Sequence, residues 1–265
     1  FHRSALLIGL KEEQTTGYNP IKLGVIASTD THVSNPGNVK ESDWVGAVVG
    51  EGTPVERLQK GILTSGIDGN PGGLAGVWAE ENTRESIFNA LLRKEVFGTS
   101  GPRIRPRFFA GWNINENLCN VNEMISDAYA SGVPMGGDLM PSRSKSFPKF
   151  LMQAAKDPEG LNIESIQLVK GWIDEEGNMN TKVIPVLSEI GGAESLCKVY
   201  TDTEFENSLS SYYYMRVVEP KSPRWHTYDC ERLSEDDRPD VCTNETYPSS
   251  IREMAWTSPI WYRPE

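Results

Sequence analysis

Long apolar runs are missing from this chain: none approaches the roughly 20 residues that a membrane-spanning helix needs, which excludes such a span. Positive charge is scarce as well, with 26 Lys and Arg against 37 Asp and Glu and a net charge of −11. Surfaces that grip nucleic acid concentrate basic residues to neutralise phosphates, so no nucleic-acid partner is expected. The four cysteines, Cys119, Cys197, Cys230 and Cys242, show no C-x-x-C spacing, which argues against a structural zinc site. Cys230 and Cys242 flank the polar stretch 231–241. Either two free buried thiols or a bridge closing that loop fits the spacing, and a bridge would stabilise by about 2–3 kcal/mol. No G-x-S-x-G occurs, and neither Cys197 nor His226 sits in a local nucleophile motif, so serine- or cysteine-based hydrolysis has no support. Histidine is the rarest chemistry-bearing residue, limited to His2, His32 and His226, with no H-x-H pair.

What is present is ordinary globular material. The 265 residues are 38% hydrophobic and 24% charged, enough for a sizeable core and room for two domains. A soluble protein is expected, without a signal-peptide pattern at its start, and periplasm, exterior and cytoplasm all stay open.

The stretch around which the chemistry gathers is Leu23-Gly24-Val25-Ile26-Ala27-Ser28-Thr29-Asp30-Thr31-His32. Residues 24–27 read as a short strand of the kind a parallel sheet buries on both faces, and it stops at small polar residues carrying a carboxylate and an imidazole. Were the backbone extended through 30–32, Asp30 and His32 would project to one side and could share a metal ion. A helix-capping Asp30 beside a hydrogen-bonded His32 explains the same letters.

Residues 24–32 resemble the last metal-binding motif of the PHP (polymerase and histidinol phosphatase) superfamily of metallohydrolases, where a strand ends in S-D-x-H. Residues 72–104, opening Gly72-Gly73-Leu74-Ala75-Gly76-Val77-Trp78-Ala79-Glu80-Glu81-Asn82, are similar to the segment that follows this motif in an uncharacterised PHP-like family related to carbaryl-hydrolase type enzymes. The stretch Glu253-Met254-Ala255-Trp256-Thr257-Ser258-Pro259-Ile260-Trp261-Tyr262 is similar too. The resemblance implies the C-terminal portion of a distorted TIM-type barrel, a divalent Zn, Mn or Fe ion held in part by Asp30 and His32, and further ligands on a missing N-terminal part of the same protein.

Read in order, residues 2–10 make an amphipathic piece that Asn19-Pro20 breaks, and residues 50–73 form a long glycine-rich loop of the functional or mobile kind. Residues 74–79 are a strand. Asn82 and Glu85 have the spacing of a capping box for a helix whose Ile87, Phe88, Leu91 and Leu92 make a packing stripe ended by Gly98. These two elements would close the barrel, which gives a first domain over 1–100. From 101 to 265 short strands alternate with turns, around one helix at 120–131, and read as a β-sandwich domain. Strands are expected at 147–155, 163–172, 182–186, 212–218 and 256–261. Arg103, Arg105 and Arg107 share one strand face: either an anion-binding surface, with Arg103 the best candidate, or an exposed face among this protein's carboxylates. Glu80 and Glu81 follow a strand and could contact substrate or merely favour a helix N-terminus. Tyr212, Tyr213 and Tyr214 read as core or as an aromatic surface.

The expected function is part of a metal-dependent hydrolase of phosphoesters or carboxyl or carbamate esters, using Asp30 and His32 at the metal and Arg103 and Glu81 toward a small ester substrate. The competing reading is a non-catalytic β-sandwich that binds a partner or carbohydrate.

Overall fold

The computed structural model describes residues 2–62, 65–142 and 146–264. Helix α1 (His2–Thr16) buries Leu6, Leu7 and Leu10, and Gly17, at φ +78°, ends it in the left-handed turn that glycine adopts without strain. A one-turn helix α2 (Pro54–Arg57) interrupts the long loop; that loop's residues 63 and 64 lie outside the described residues. Then come β1 (Leu74–Val77), α3 (Arg84–Leu92), β2 (Val96–Thr99), β3 (Arg105–Gly111), α4 (Met124–Ser131), β4 (Val133–Pro134) and β5 (Asp138–Leu139). They are followed by β6 (Lys149–Ala155), β7 (Ile163–Ile173), β8 (Met179–Ala193), β9 (Ser195–Thr201), β10 (Ser211–Pro223), α5 (Trp225–Arg232), β11 (Ser250–Thr257) and β12 (Ile260–Tyr262).

The strands form two open sheets. The larger has β7 paired with β8 on one side and β10 on the other; β10 continues to β11, β2 and β1 at one end and to β12 and β5 at the other. The smaller runs β4-β3-β6-β9. All pairs are antiparallel except β12 with β5. The sheets share a core: Phe108, Phe150 and Met152 of the smaller meet Ile166, Leu168, Tyr213, Met215 and Val217 of the larger. Alternation places them there, since Ile104 and Phe108 are fully buried while Arg103 and Arg105 face solvent. Tyr212, Tyr213 and Tyr214 are all buried, so that run is core. Three smaller clusters lie outside, one of them packing Phe109 and Leu151 against Ile114, Leu118 and the α4 residue Ala128. Another joins α1 to the outer face of β7, β10 and β12 through Val169, Tyr212 and Trp261; the third gathers Trp44, Leu58, Ile67 and Trp225 beneath the loop around α2.

This architecture overturns the barrel followed by a β-sandwich. Strands β1 and β2 pair antiparallel, Leu74 with Thr99 and Val77 with Val96, so α3 returns the chain alongside its own strand instead of crossing to a parallel neighbour. Residues 74–99 thereby join the sheet that contains 211–262. Residues 22–31 form no ladder: Leu23 and Ile26 are exposed, and the segment lies over β2 on isolated contacts, Gly73 N–H donating to the Ser28 carbonyl (2.9 Å) and Val25 N–H to Ser258 Oγ (2.9 Å). Gly98 permits the approach, because a Cβ there would stand 2.9 Å from the Ala27 nitrogen. The helix after β1 is capped by Thr83, whose hydroxyl accepts from Ser86 N–H, not by Asn82, and it ends at Leu92, leaving Gly98 inside β2. Its apolar stripe does not pack, for Phe88, Leu91 and Leu92 are 57%, 48% and 63% exposed. Helix α5 had no signal strong enough to predict it, with four hydroxyl, imidazole or carboxylate side chains in its first five residues.

Candidate functional site

Asp30 and His32 come together, though not by the route their spacing predicts. The backbone turns at Asp30, which takes a left-handed φ of +51°, uncommon for a residue other than glycine and tolerated best by Asn and Asp. His32 N–H then donates to the Ala47 carbonyl at 2.8 Å, which ties this turn to the long loop. The outcome is a His32 Nε2 to Asp30 Oδ1 separation of 3.8 Å, with both side chains exposed.

They line an open cleft of about 550 Å3 whose other wall is the loop, including Glu51, Glu56, Lys60 and Gly66. Glu51 organises that wall. Its Oε2 accepts from the N–H groups of Ala47 (2.6 Å) and Val48 (3.2 Å), its Oε1 accepts from Gly66 N–H, and the residue is only 6% exposed. A carboxylate gathering three backbone donors draws both arms of a loop onto one point. Helix α2 begins in a capping box, the Thr53 hydroxyl accepting from Glu56 N–H while Glu56 Oε2 accepts from Thr53 N–H. The Thr53 hydroxyl, which donates to Glu56 Oε2 at 2.9 Å, and then the Thr53 N–H hold the Glu56 carboxyl below the usual carboxylate range.

Beneath the cleft, Arg57 forks onto Asp229 of α5, with Nε to Oδ2 at 2.7 Å and Nη2 to Oδ1 at 3.0 Å, and its Nη1 donates to the Glu51 carbonyl at 3.0 Å. Both side chains are almost fully buried, and Arg232 adds a second contact to Asp229 at 2.8 Å. On the same helix His226 is buried with Nδ1 3.1 Å from Arg224 Nη1. Burial, then the neighbouring Arg224 charge, lowers its pKa to about 4, so it is a neutral structural imidazole at physiological pH.

The remaining predicted residues lie apart from this cleft. Glu81 is exposed beside the start of α3, its N–H donating to Ser86 Oγ at 3.1 Å. Arg103 precedes β3, with its N–H on Asp157 Oδ2 (2.7 Å) and its side chain exposed. Arg107, on the same face, is the partly buried member of the trio.

A family model described as "Protein of unknown function (DUF3604)" matches residues 1–189 and 186–264, nearly the whole sequence. The chain belongs to the DUF3604 family. No curated protein and no solved structure matches it. Within this DUF3604 chain, sequence reasoning found the D-T-H pair but missed Glu51, Arg57 and Asp229. Glu51 stands in a glycine-rich segment without periodicity, and Arg57 and Asp229 are 172 positions apart, so no short-range pattern links them.

Among the described residues no group of three His, Cys, Asp or Glu side chains is placed to hold a metal ion. Asp30 and His32 offer a hard carboxylate oxygen and an imidazole nitrogen, a donor pair that suits Zn, Mn or Fe, but a catalytic zinc takes about three protein ligands.

Proposed function

We propose that this DUF3604 chain is part of a metal-dependent hydrolase acting on phosphoesters or on carboxyl or carbamate esters. One observation carries the reading: a carboxylate and an imidazole stand 3.8 Å apart at the wall of an open cleft, on a backbone held in an uncommon left-handed turn. Sparsely populated backbone conformations persist where surrounding structure over-determines them, and they cluster at functional sites. The likeness of residues 24–32 to the last PHP motif supports the same assignment.

In this reading Asp30 and His32 are two of the protein ligands. The metal, when bound, supplies Lewis acidity and a water of lowered pKa. Glu51 keeps the loop wall fixed through its three N–H donors, and the exposed Lys60 on that wall meets the anionic group of a substrate. The two disulfides, Cys119–Cys197 and Cys230–Cys242, support work in an oxidising compartment, the periplasm or the cell exterior.

The test pairs bound metal per chain with hydrolysis of a phosphoester and a carboxyl-ester panel. Asp30→Ala and His32→Ala are each expected to abolish metal-dependent turnover; His32→Ala should leave the thermal transition unchanged, because its side chain is exposed, while Asp30→Ala should lower it slightly, because alanine fits the left-handed turn at position 30 less well than aspartate. Undiminished metal-dependent activity in both variants would end this reading in favour of a binding module.

A further inference from the structure

A second cleft, of about 660 Å3, is lined by Trp78, Glu80, Arg93, Glu95, Arg107 and Tyr129 and shares no residue with the first. Its construction starts at Trp78, whose indole N–H donates to the Pro106 carbonyl at 2.9 Å and so fixes the ring. The Arg107 guanidinium lies on that ring, 3.3 Å from the centroid. Behind it Glu95 is 2% exposed: Oε1 accepts from the Tyr129 hydroxyl, and Oε2 stands 3.5 Å from Arg93 Nη2. Both carboxylate oxygens are therefore engaged. Burial, then Glu95, pushes the Tyr129 phenol up to about 12, which keeps it protonated and donating to Glu95. Its oxygen remains an acceptor for Arg107 Nη1, at 3.4 Å.

Arg107 is left in an unusual state. It is partly buried and held flat, and among the described residues it forms no ion pair, although the protein carries a net charge of −11. Removing a guanidinium from water without an anionic partner is costly, and its planar fork of donors matches the geometry of an oxyanion. Glu95 lies near enough to favour the charge but makes no ion pair with it, its two oxygens being taken by Tyr129 and Arg93. The volume falls in the range of small-molecule sites.

We propose that this cleft binds a small polar molecule through an oxyanion group, a carboxylate or a phosphate, gripped by Arg107 with Arg93 at the rim. Glu95 and Tyr129 are positioning residues that orient the two guanidinium groups. The arginine-face reading of residues 103–107 thereby moves from Arg103 to Arg107.

The experiment is calorimetric titration of the whole chain with D-glucuronate, D-glucose 6-phosphate and D-glucose at about 0.15 M salt. At least one anionic sugar is expected to bind saturably at one per chain and glucose not at all; which anion binds separates carboxylate from phosphate. Arg107→Gln should weaken binding about tenfold or more, with Arg107→Lys restoring little, because lysine lacks the flat fork. Should Arg107→Gln fail to fold, Tyr129→Phe, which removes the hydroxyl between Glu95 and Arg107, should weaken binding in its place. Asp30→Ala and His32→Ala should leave this binding intact, which keeps it separate from the hydrolase reading. The proposal is overturned if neither anionic sugar binds, if folded Arg107→Gln binds as the wild type does, or if binding is retained in full by Arg107→Lys and lost at high salt, the mark of loose surface charge.

Discussion

Glu219 sits where β10 and β11 slip register, between Val218 and Lys221, and its Oε1 has no hydrogen-bond partner although the residue is 1% exposed. Burial, with Glu253 and Asp157 nearby, pushes its carboxyl up to about 7; burial does the same for Glu41, which also reaches about 7. A carboxyl whose folded pKa lies above its ordinary 4.5 binds protons in the folded state that the unfolded state has released. Its stability is full at low pH and is lost as pH rises through 7. His226 has the opposite sense: with a folded value of about 4 against 6.5, it costs stability only as pH falls below 6.5. The two effects oppose each other in mildly acid solution, and above 6.5 only the carboxyls remain. Denaturant titrations are therefore expected to show lower stability at pH 8 than at pH 6. Glu219→Gln should remove about 1 kcal/mol of that difference between pH 6 and pH 8, since a neutral amide carries no ionisation cost. A flat profile in the wild type would contradict the assignment. None of this was legible in the sequence, where Glu219 is one acid among many and its bulge depends on a strand more than 30 positions away.

At the scale of elements, the short helix α2 is held in place by what it meets. One turn of helix cannot sustain itself in water. The Thr53–Glu56 box is local and readable, but the anchor is the buried Arg57–Asp229 fork to α5. Arg57→Ala would leave Asp229 buried with only Arg232 beside it, and is expected to cost about 3 kcal/mol. Replacing both partners by apolar residues, Arg57→Met with Asp229→Leu, should cost markedly less, because no uncompensated charge remains. Equal losses in the single and double variants, measured by chemical denaturation, would show that the ion pair is not the anchor. Helix α3 carries the complementary lesson. Its stripe was visible in residues 82–92, though its cap is Thr83 and not Asn82, yet Phe88, Leu91 and Leu92 face solvent, since periodicity reports that a face is apolar and not that a partner meets it.

For the whole molecule, the two disulfides tie different distances. Cys119–Cys197 spans 78 positions and pins the segment before α4 to β9; Cys230–Cys242 spans 12 and closes a local polar loop. Loop-closure entropy makes the longer bridge worth about 4–5 kcal/mol and the shorter about 3 kcal/mol. Paired Cys→Ser replacement should therefore lower the thermal midpoint more for Cys119 with Cys197 than for Cys230 with Cys242. The reverse order in calorimetric scans would place the constraint in the local loop. Only the shorter bridge had a signal in the sequence, because its cysteines flank a single polar segment.

The sequence by itself determined what depends on neighbours within a few residues. The alternation of Ile104, Pro106 and Phe108 against three arginines, the turns at Gly160 and Gly177, and the strands near 149–155, 163–173 and 211–218 all follow from local backbone and side-chain period. Only the tertiary structure decided which strands meet. It turned the expected barrel unit of β1, α3 and β2 into an antiparallel pair within the large sheet, and laid residues 22–31 over β2 as unpaired chain. It also brought Glu51 to Gly66, Arg57 to Asp229 and Arg107 to Trp78. The reason is physical: hydrogen-bond ladders, buried ion pairs and cleft walls are contacts between distant positions, and their free energy is set by burial and geometry that no short window of residues contains.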